Sequence, residues 1–399
     1  MTPGQIVYTS FDRFPSPKGA ATHIDAFVSV LGRNFPEVDL VTIPSATQSG
    51  LAPQSWNAVG VTHHAIAAEG EHLFERVIHF RAGFRQWWRK RFGSYQVPII
   101  HFRSIYEGYP IARDKDLFCK SLIYEVNGLP SIELKYHYPQ VAEDEELMGK
   151  LRSQEDVCLA AADIVLTVSD VNRDYLIERR VDANKIRVIR NGVDLDVFTL
   201  PPRERSKDDV LRLLYTGTMS AWQGVDLAID ALALYLRDAP ATLKIVGPIR
   251  RRERKRLERH IWKSGVGDCV TLHDAVSKAE LVQVYHESDV ALAPLTRHDR
   301  NVHQGCCPLK VIEAMATGTP LVASRIPVVE ELAENDREAL LVRAGSAKAI
   351  KDAFVRLRSD PTLANKLRTN ARQRAEREFS WKSAQSKLSD VYSELLSGS

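Results

Sequence analysis

The chain has 399 residues, of which 44% are hydrophobic and 26% are charged, and its formal net charge at pH 7 is +3. These fractions lie in the ordinary globular range, and the length exceeds what one ordinary core fills, so we expect two domains. No apolar run reaches the about 18 residues needed to cross a bilayer, which argues against a membrane-spanning protein.

The start of the chain and its cysteines indicate the compartment. The first residues, MTPGQIVYTSF, lack the basic segment and the long apolar stretch of a signal peptide, so we expect a cytoplasmic protein. Five cysteines, an odd number, argue against a disulfide framework. The adjacent pair Cys306 and Cys307 has a poor spacing for zinc, and we therefore expect free thiols.

Short apolar runs alternate with amphipathic stretches in the first half of the chain. Buried strands are predicted at QIVYTSF (5–11), VDLVTI (38–43), VPIIHF (97–102), SLIYEV (121–126) and DIVLTVS (163–169). Between the first two runs, THIDAFVSVLGRNF predicts a helix. The alternation of strand, helix and strand is typical of a parallel, doubly wound sheet.

The same alternation then starts again. A second set of strands is predicted at IRVIRNG (186–192), RLLYTGT (212–218), TLKIVGP (242–248), CVTLH (269–273), VALAPL (290–295) and PLVAS (320–324). Amphipathic stretches such as VDLAIDALALYLR and LKVIEAMATG lie between them. Two such sets predict two Rossmann-like α/β domains, residues 1–195 and 196–378. The tail, 379–399, predicts a helix that packs back on the first domain.

The segment 308–320, PLKVIEAMATGTP, is the most specific in the chain. A loop ends at Pro308 and a helix follows, whose first turn presents unpaired amides and a partial positive charge. That end of a helix is a natural seat for a diphosphate. Lys310 adds a full charge in the same turn, and Glu313, one turn further, is placed to accept two ribose hydroxyls.

The run PLKVIEAMATGTPLVAS (308–324) strongly resembles glycosyltransferase family 4. Residues 169–198, 213–232 and 379–396 agree with that family in the right order. The resemblance implies the type B fold, in which two Rossmann-like doubly wound domains face each other across a cleft. It also implies a retaining transfer without a metal or other cofactor. The donor would be a nucleoside-diphosphate sugar, such as a UDP- or GDP-sugar, held mainly by the C-terminal domain.

The resemblance also has two departures in the donor site. Glu313 matches the second glutamate of the family's two-glutamate motif, whereas the first falls on Gly305. Thr218 and Gln223 stand where many members have an arginine and a lysine. Those cations offset the charge of the departing diphosphate, so here the charge must come from elsewhere. Lys310 is our first candidate for that role, with Arg297 or Arg300 behind it. Further donor-binding candidates by the same resemblance are Gly19, Ala20, Trp222, Gly224, Gly247, Val276, Cys306, Pro308 and Leu309.

The N-terminal domain offers candidates at the ends of its predicted strands. The loop 15–23 after the first strand resembles the family's glycine-rich loop, where a side chain would keep the backbone off the ligand. Two further strands end at HFR and YEVNG, and the carboxyl ends of such strands face the ligand crevice. We therefore predict catalytic roles for Arg103 and Asn127 beside Lys310, and acceptor-binding roles for His23, His101 and Glu125.

The segment Arg81–Phe92 is both basic and aromatic. This composition favours an anionic membrane surface, so we expect a peripheral contact with the membrane there. The alternative is an ordinary domain helix with its aromatic residues in the core and its basic residues in water. Nucleic acid ranks lower because no recognition fold accompanies the charge.

Together these features predict transfer of a sugar to a hydroxyl of a glycan, lipid-linked or small-molecule acceptor, in cell-surface or exopolysaccharide synthesis. A nucleotide-sugar epimerase and a non-catalytic nucleotide-sugar-binding protein of the same fold are the alternatives. A nicotinamide-dependent oxidoreductase is disfavoured, because the first strand-to-helix loop lacks the Gly-x-Gly-x-x-Gly pattern.

Overall fold

The computed structural model describes residues 5–16, 19–45, 56–200 and 210–397. The chain divides into two compact units, Met1–Arg190 with Ala384–Ser399, and Asn191–Ser383. The sequence predicted these divisions at 195/196 and 378/379. Within the described ranges, no helix is long and apolar enough to cross a membrane.

The first unit contains a seven-stranded parallel sheet in the order β3-β2-β1-β4-β5-β6-β7. Its strands are β1 Gln5–Phe14, β2 Glu37–Pro44, β3 Val61–Ala65, β4 Val97–Phe102, β5 Cys119–Val126, β6 Ile164–Thr167 and β7 Ile186–Val188. Because β1 pairs with both β2 and β4, the strand order reverses at the centre of the sheet. The inner strands are buried on both faces, as expected for a sheet covered by helices.

Helices cover this sheet and begin at sequence signals that can be read locally. The described helices before residue 190 are α1 Gly19–Asn34, α2 Leu73–Arg91, α3 Ile105–Arg113, α4 Pro130–His137, α5 Glu145–Ala161 and α6 Asp170–Glu178. Ser104 accepts a hydrogen bond from the Tyr106 amide at the start of α3, and Ser169 accepts one from the Asn172 amide at the start of α6. These caps satisfy amides that have no partner inside the helix.

The second unit contains a six-stranded parallel sheet in the order β10-β9-β8-β11-β12-β13. Its strands are β8 Leu211–Thr216, β9 Ala241–Val246, β10 Val270–His273, β11 Val290–Ala293, β12 Leu321–Arg325 and β13 Leu340–Arg343. Its helices are α7 Val225–Tyr235, α8 Arg251–Lys263, α9 Lys278–His286, α10 Leu309–Thr317, α11 Pro327–Glu330, α12 Ala347–Ser359 and α13 Pro361–Glu378. The predicted fold class, two α/β units with parallel sheets, is therefore confirmed.

The structure corrects the assignment of one strand and adds two. The run IRVIRNG was expected in the second sheet, but β7 pairs with β6 through Val165 and Ile186 and completes the first sheet. The three residues of β7 do not indicate which sheet they join, because that depends on the neighbouring strand β6, which lies about 20 residues earlier in the chain. The strands β3 and β13 were not predicted, and β3, with the sequence VTHHA, is too polar to stand out as a buried strand.

The last helix, α14 Trp381–Ser397, packs on the first unit, as predicted. The Gln385 amide donates to the Ala26 carbonyl at 2.6 Å. Asn34 donates to the Ser389 hydroxyl at 2.8 Å. The Tyr392 hydroxyl lies 2.7 Å from Nδ1 of His101, which belongs to β4. These side-chain bonds join α14 to residues more than 290 positions earlier in the chain.

The predicted contact of the segment Arg81–Phe92 with a membrane is wrong for its buried aromatic residues. Phe80, Phe84, Trp88 and Phe92 are all buried in the core of the first unit, with at most 4% of each side chain exposed. Residues four apart on a helix share a face, so this spacing marks the face of α2 that packs on the sheet. Arg85, Arg89 and Arg91 of the same segment are exposed, whereas Arg81 is half-buried.

Replacing an aromatic residue of α2 by alanine tests this packing. We expect Phe84→Ala, at a site 4% exposed, to lower the free energy of unfolding by about 3–5 kcal/mol, because a buried phenyl ring leaves a cavity. The matched control on the same helix is Ile78→Ala, at a site 66% exposed, which should change stability by less than about 0.5 kcal/mol. Urea unfolding of the full chain measures both, and equal small effects would contradict the buried placement.

Candidate functional site

The polar loops of the second unit converge at the carboxyl ends of its central strands. The strand order reverses between β8 and β11, and loops leave such a point in opposite directions, so a crevice forms there. Gly217 directly follows β8, and Gly247 directly follows β9. The loop after β11 leads to Pro308 and the start of α10.

Glycines at these strand ends allow a close approach of backbone and side chain. A Cβ atom on Gly247 would lie 2.0 Å from the Gly217 carbonyl oxygen, and one on Gly217 would lie 3.1 Å from Nζ of Lys310. Gly224, which precedes α7, has a φ of 70° and would place a Cβ 1.9 Å from the Pro294 carbonyl oxygen. Side chains at these positions would therefore fill the space in front of Lys310 or push the loops apart.

Lys310 lies in the first turn of α10 with only 7% of its surface exposed. Its Nζ sits 3.9 Å from the centroid of the Tyr215 ring and has no hydrogen-bond partner among the described residues. Burial lowers the pKa of Lys310 to about 7, which the nearby Glu313 only partly offsets. Burying a cation without a paired anion is costly, so this ammonium group is positioned to receive an anionic ligand.

The start of α10 points to the same ligand chemistry. Pro308, at its N-cap, provides no side-chain hydrogen bond to the first-turn amides. The Val311 amide donates to the Pro308 carbonyl at 3.0 Å, and the dipoles at this end of the helix favour a negative charge. The ammonium of Lys310 and the uncapped end of α10 therefore form one cationic corner of the second unit.

Glu313 lies one turn further along α10. Its Oε2 accepts a hydrogen bond from the Tyr285 hydroxyl at 3.1 Å, and that hydroxyl also lies 2.8 Å from Oγ1 of Thr216. Burial raises the pKa of Glu313 to about 7, although Tyr285 and Lys310 oppose the shift. Tyr285 thereby fixes the direction of the carboxylate relative to the ammonium of Lys310.

The loops after β8 and β11 are joined through two backbone carbonyls, those of Ala221 and Trp222. The Trp222 carbonyl accepts hydrogen bonds from the Asn301 side chain at 2.8 Å and from the Thr296 amide at 3.1 Å. The guanidinium of Arg300 lies 5.2 Å from the centroid of the Trp222 ring. Arg297 is exposed. Neither arginine is as enclosed as Lys310.

The predicted donor residues fall into three places. The ends of β8 and β9, the loop after β11 and the start of α10 contain Thr218, Trp222, Gln223, Gly224, Gly247, Gly305, Cys306, Pro308, Leu309, Lys310 and Glu313. Val276 lies in the connection between β10 and α9, next to the capping residue Ser277. Gly19 and Ala20 begin α1 in the first unit, and residues 17 and 18 of their loop lie outside the described residues.

The predicted residues of the first unit surround one buried carboxylate, that of Glu125 on β5. Nε2 of His101 lies 3.0 Å from Oε2 of Glu125, and Nε2 of His23 lies 3.1 Å from Oε1. Arg103 donates to Oε1 at 2.9 Å, and the Asn127 amide donates to the same oxygen. The structure therefore brings together all five residues that the sequence assigned to catalysis and acceptor binding in this unit.

Four of these groups converge on the carboxylate of Glu125, and two of them also make contacts outside the five: Arg103 donates to Asp12 at 3.0 Å, and His101 contacts Tyr392. Burial alone would raise the pKa of Glu125, but His23 and Arg103 hold it well below its ordinary value. Glu125 and His101 are almost fully buried, and burial lowers the pKa of His101. The anionic carboxylate thus fixes the surrounding cationic and polar groups. Of the five, Asn127 is the only half-buried residue, and the roles assigned to all of them stay predictions.

Sequence reasoning missed the aromatic residues that hold the site. Tyr8 donates to Oε2 of Glu125 at 2.8 Å, and Tyr392 meets His101 from the far end of the chain. Tyr215 lies under Lys310, and Tyr285 holds Glu313. In the sequence each tyrosine resembles an ordinary core residue, and the only local signal was the position of Tyr215 just before the Thr-Gly-Thr turn.

Among the described residues, no group of three or more histidine, cysteine, aspartate or glutamate side chains is arranged to hold a metal ion. The expected independence of metal stays a prediction.

Comparison with known families tests the resemblance that the sequence predicted. Residues 196–374 match the family described as Glycosyl transferases group 1, and residues 17–197 match Glycosyltransferase Family 4. The chain belongs to glycosyltransferase family 4. The two matches divide the chain much as the two units do, and the resemblance predicted from PLKVIEAMATGTPLVAS is confirmed.

Curated relatives of this family 4 glycosyltransferase have diverged widely. The D-inositol 3-phosphate glycosyltransferase of Xylanimonas cellulosilytica is 28% identical over 62% of this chain, which spans 61% of that relative's length. The enzyme of the same name from Corynebacterium glutamicum is 23% identical over 95% of the chain and 92% of its own length. The Amylovoran biosynthesis glycosyltransferase AmsK of Erwinia amylovora is 26% identical over 59% of the chain and 57% of its length.

Solved structures share the fold of this glycosyltransferase at low identity. Sucrose-phosphate synthase from Thermosynechococcus elongatus has a TM-score of 0.82 and 22% identity, covering 99% of this chain and all of its own. Anabaena HepE, solved with UDP and glucose, has a TM-score of 0.76 and 17% identity, covering 98% of this chain and all of its own. At such identities these likenesses establish the fold alone.

Replacing Gly247 by alanine tests the close approach of the backbone at the ends of β8 and β9. We expect Gly247→Ala to lower the free energy of unfolding by about 1–3 kcal/mol, because the new Cβ would meet backbone that has no room to move. Gly267→Ala, where a Cβ would meet open space, is the matched control in the same unit and should be nearly neutral. Thermal unfolding of both variants measures the difference, and equal stability would contradict the predicted clash.

Removing the charge of Lys310 should stabilise the protein in a pH-dependent manner. The folded-state pKa of about 7 lies below the ordinary 10.5, so burial of the charged form costs most below about pH 7 and nothing above about pH 10.5. We expect Lys310→Met to raise the free energy of unfolding by about a few kcal/mol at pH 6, the size that the lowered pKa of Lys310 implies. At pH 9 the gain should be smaller. Lys348→Met, at an exposed lysine of α12, is the control. A gain that does not depend on pH would contradict the argument.

Proposed function

We propose that the chain is a retaining glycosyltransferase that moves a sugar from a nucleoside-diphosphate sugar to a hydroxyl group of an acceptor. The observation that carries this proposal is the buried ammonium of Lys310, which has no hydrogen-bond partner among the described residues and lies at the uncapped start of α10. The diphosphate, which every nucleoside-diphosphate sugar contains, supplies the missing negative charge.

Glu313 and the glycines extend the same proposal to the rest of the donor. One turn separates Glu313 from Lys310, so a ribose joined to the diphosphate would meet its carboxylate. Tyr285 holds that carboxylate in place. Gly217 leaves the space in front of Lys310 free for the ligand, and Gly247 lets the backbone approach Gly217 closely. Hydrogen bonds from two ribose hydroxyls to a carboxylate are among the stronger ones in proteins.

Lys310 is also the best candidate for stabilising the leaving group. As the glycosidic bond breaks, negative charge grows on the diphosphate, and a cation aimed at it lowers the barrier more than it strengthens ground-state binding. A diphosphate beside Lys310 would raise its lowered pKa and keep it protonated. Arg300 is engaged with the Trp222 ring, and Arg297 is exposed, so both are weaker candidates.

The relatives support the class of donor and acceptor. Anabaena HepE has been solved with UDP and with UDP-glucose, which supports a nucleotide-sugar donor here. The nucleotide that we propose is UDP or GDP. The relative named for amylovoran biosynthesis supports a glycan or lipid-linked acceptor in cell-surface or exopolysaccharide synthesis. We propose that Asn127, anchored by Glu125, donates to a sugar hydroxyl.

Two alanine variants test the role of Lys310. We expect Lys310→Ala to lower the turnover number by about 100-fold or more while donor affinity changes less, the pattern of an interaction made mainly in the transition state. Arg300→Ala is the matched control and should retain most of the turnover.

A third variant tests the ribose contact: Glu313→Ala should weaken nucleoside diphosphate binding by about 1–3 kcal/mol. Steady-state kinetics and titration calorimetry with UDP and GDP provide the measurements.

The opposite pattern would overturn the assignment. Normal turnover in Lys310→Ala together with a strongly impaired Arg300→Ala would place the charge on Arg300. A donor sugar that is isomerised in the absence of acceptor would instead favour an epimerase. If neither UDP nor GDP binds the wild-type chain, the proposed donor site is wrong.

A further inference from the structure

A groove of about 510 Å³ opens on the surface of the first unit between α2 and α3. Its floor is apolar and is formed by Phe84, Ile111 and Phe118, all of which are buried. Its sides contain four arginines, Arg81, Arg85, Arg89 and Arg113. Among the described residues that line it, none is acidic. The groove thus combines an apolar base with a cationic rim.

The helical spacing of α2 aligns three of these arginines. Arg81, Arg85 and Arg89 are four residues apart, so they form one row along the helix. Arg85 and Arg89 are exposed, and neither has a hydrogen bond or a salt bridge to a described residue. Arg113, from α3, is paired with Asp114 at 2.6 Å. One acidic residue therefore offsets one of the four positive charges at the rim.

Arg81 is half-buried and is held without a carboxylate. It donates to the carbonyl oxygens of Ile105 at 2.7 Å and Tyr106 at 2.6 Å. Burial lowers the pKa of Arg81 below its ordinary value. The neighbouring Glu107 is itself buried at the cap of α3, and burial raises the pKa of Glu107 to about 8, so it offsets little of this charge at pH 7. The inner end of the groove is therefore a partly desolvated cationic site.

We propose that this groove binds the phosphate group of an anionic phospholipid at a membrane surface. The row of arginines provides charge-assisted hydrogen bonds to phosphate oxygens, and the apolar floor accommodates the first carbons of the lipid. Leu117, which precedes the floor residue Phe118 in the chain, is 68% exposed, and an exposed large apolar side chain beside the groove suits a lipid surface. This site uses the arginines of α2, whereas its aromatic residues stay in the core.

Vesicle binding of paired variants tests the groove. The probes are vesicles of phosphatidylcholine alone and of phosphatidylcholine mixed with phosphatidic acid. Arg85→Gln with Arg89→Gln removes two charges from the rim, and Arg251→Gln with Arg252→Gln removes two exposed charges from α8 as the matched control. We expect the groove variant to bind the anionic vesicles about tenfold or more weakly, and the control to stay within about twofold of the wild type.

The other outcomes would overturn the proposal. Equal losses in the two double variants would indicate diffuse charge attraction rather than a site, and equal binding to both vesicles would remove the role of the phosphate. Calorimetry with a soluble alkyl phosphate and with inorganic phosphate adds a second measurement. The alkyl phosphate should bind the wild type more tightly, and equal affinity would show that the apolar floor is not used and that the groove takes a free phosphate instead.

The test is independent of the proposed transferase activity. Arg85 and Arg89 lie in the first unit, outside the candidate donor residues, so the groove variant should bind UDP or GDP as the wild type does. If the wild type binds neither UDP nor GDP, the proposed function is overturned, whereas the vesicle result still stands. Loss of the vesicle preference would remove the groove and leave the donor site intact.

Discussion

The reversal of strand order at the centre of each parallel sheet is the constraint on which both sites depend. At that point the loops after neighbouring strands leave in opposite directions, and a parallel sheet buries its strands on both faces. Polar side chains in the interior therefore gather at the carboxyl ends of the central strands. In the first unit these ends hold Glu125, and in the second they face Lys310.

The two units treat buried charge in opposite ways. The carboxylate of Glu125 is met by Tyr8, His23, His101 and Arg103, so its negative charge is balanced inside the unit. The ammonium of Lys310 rests on an aromatic ring and has no hydrogen-bond partner among the described residues. A satisfied network rigidifies a unit, whereas an unpaired buried charge costs stability that a ligand of opposite charge restores. This difference is the reason why we propose the second unit as the binding place of an anionic donor.

Helix α2 shows how one segment can serve two purposes. Its aromatic face supplies core volume to the first unit, and its arginines line a groove on the same side of the molecule as α3. A sequence that is both basic and aromatic suggested a membrane-binding helix as a whole. Packing divided the two properties, because the rings gain more free energy in the core than at a surface.

The sequence alone determined much of this protein. Apolar periodicity indicated most strands and the two α/β units, and PLKVIEAMATGTP identified both the family and the helix that presents Lys310 and Glu313. These features depend on neighbours within a few turns of the chain, so local pattern suffices. Only the tertiary structure decided that β7 completes the first sheet, that Tyr215 and Tyr285 hold the ends of Lys310 and Glu313, and that the rings of α2 are buried. Each of those depends on contacts between residues far apart in sequence, whose free energy no local pattern contains.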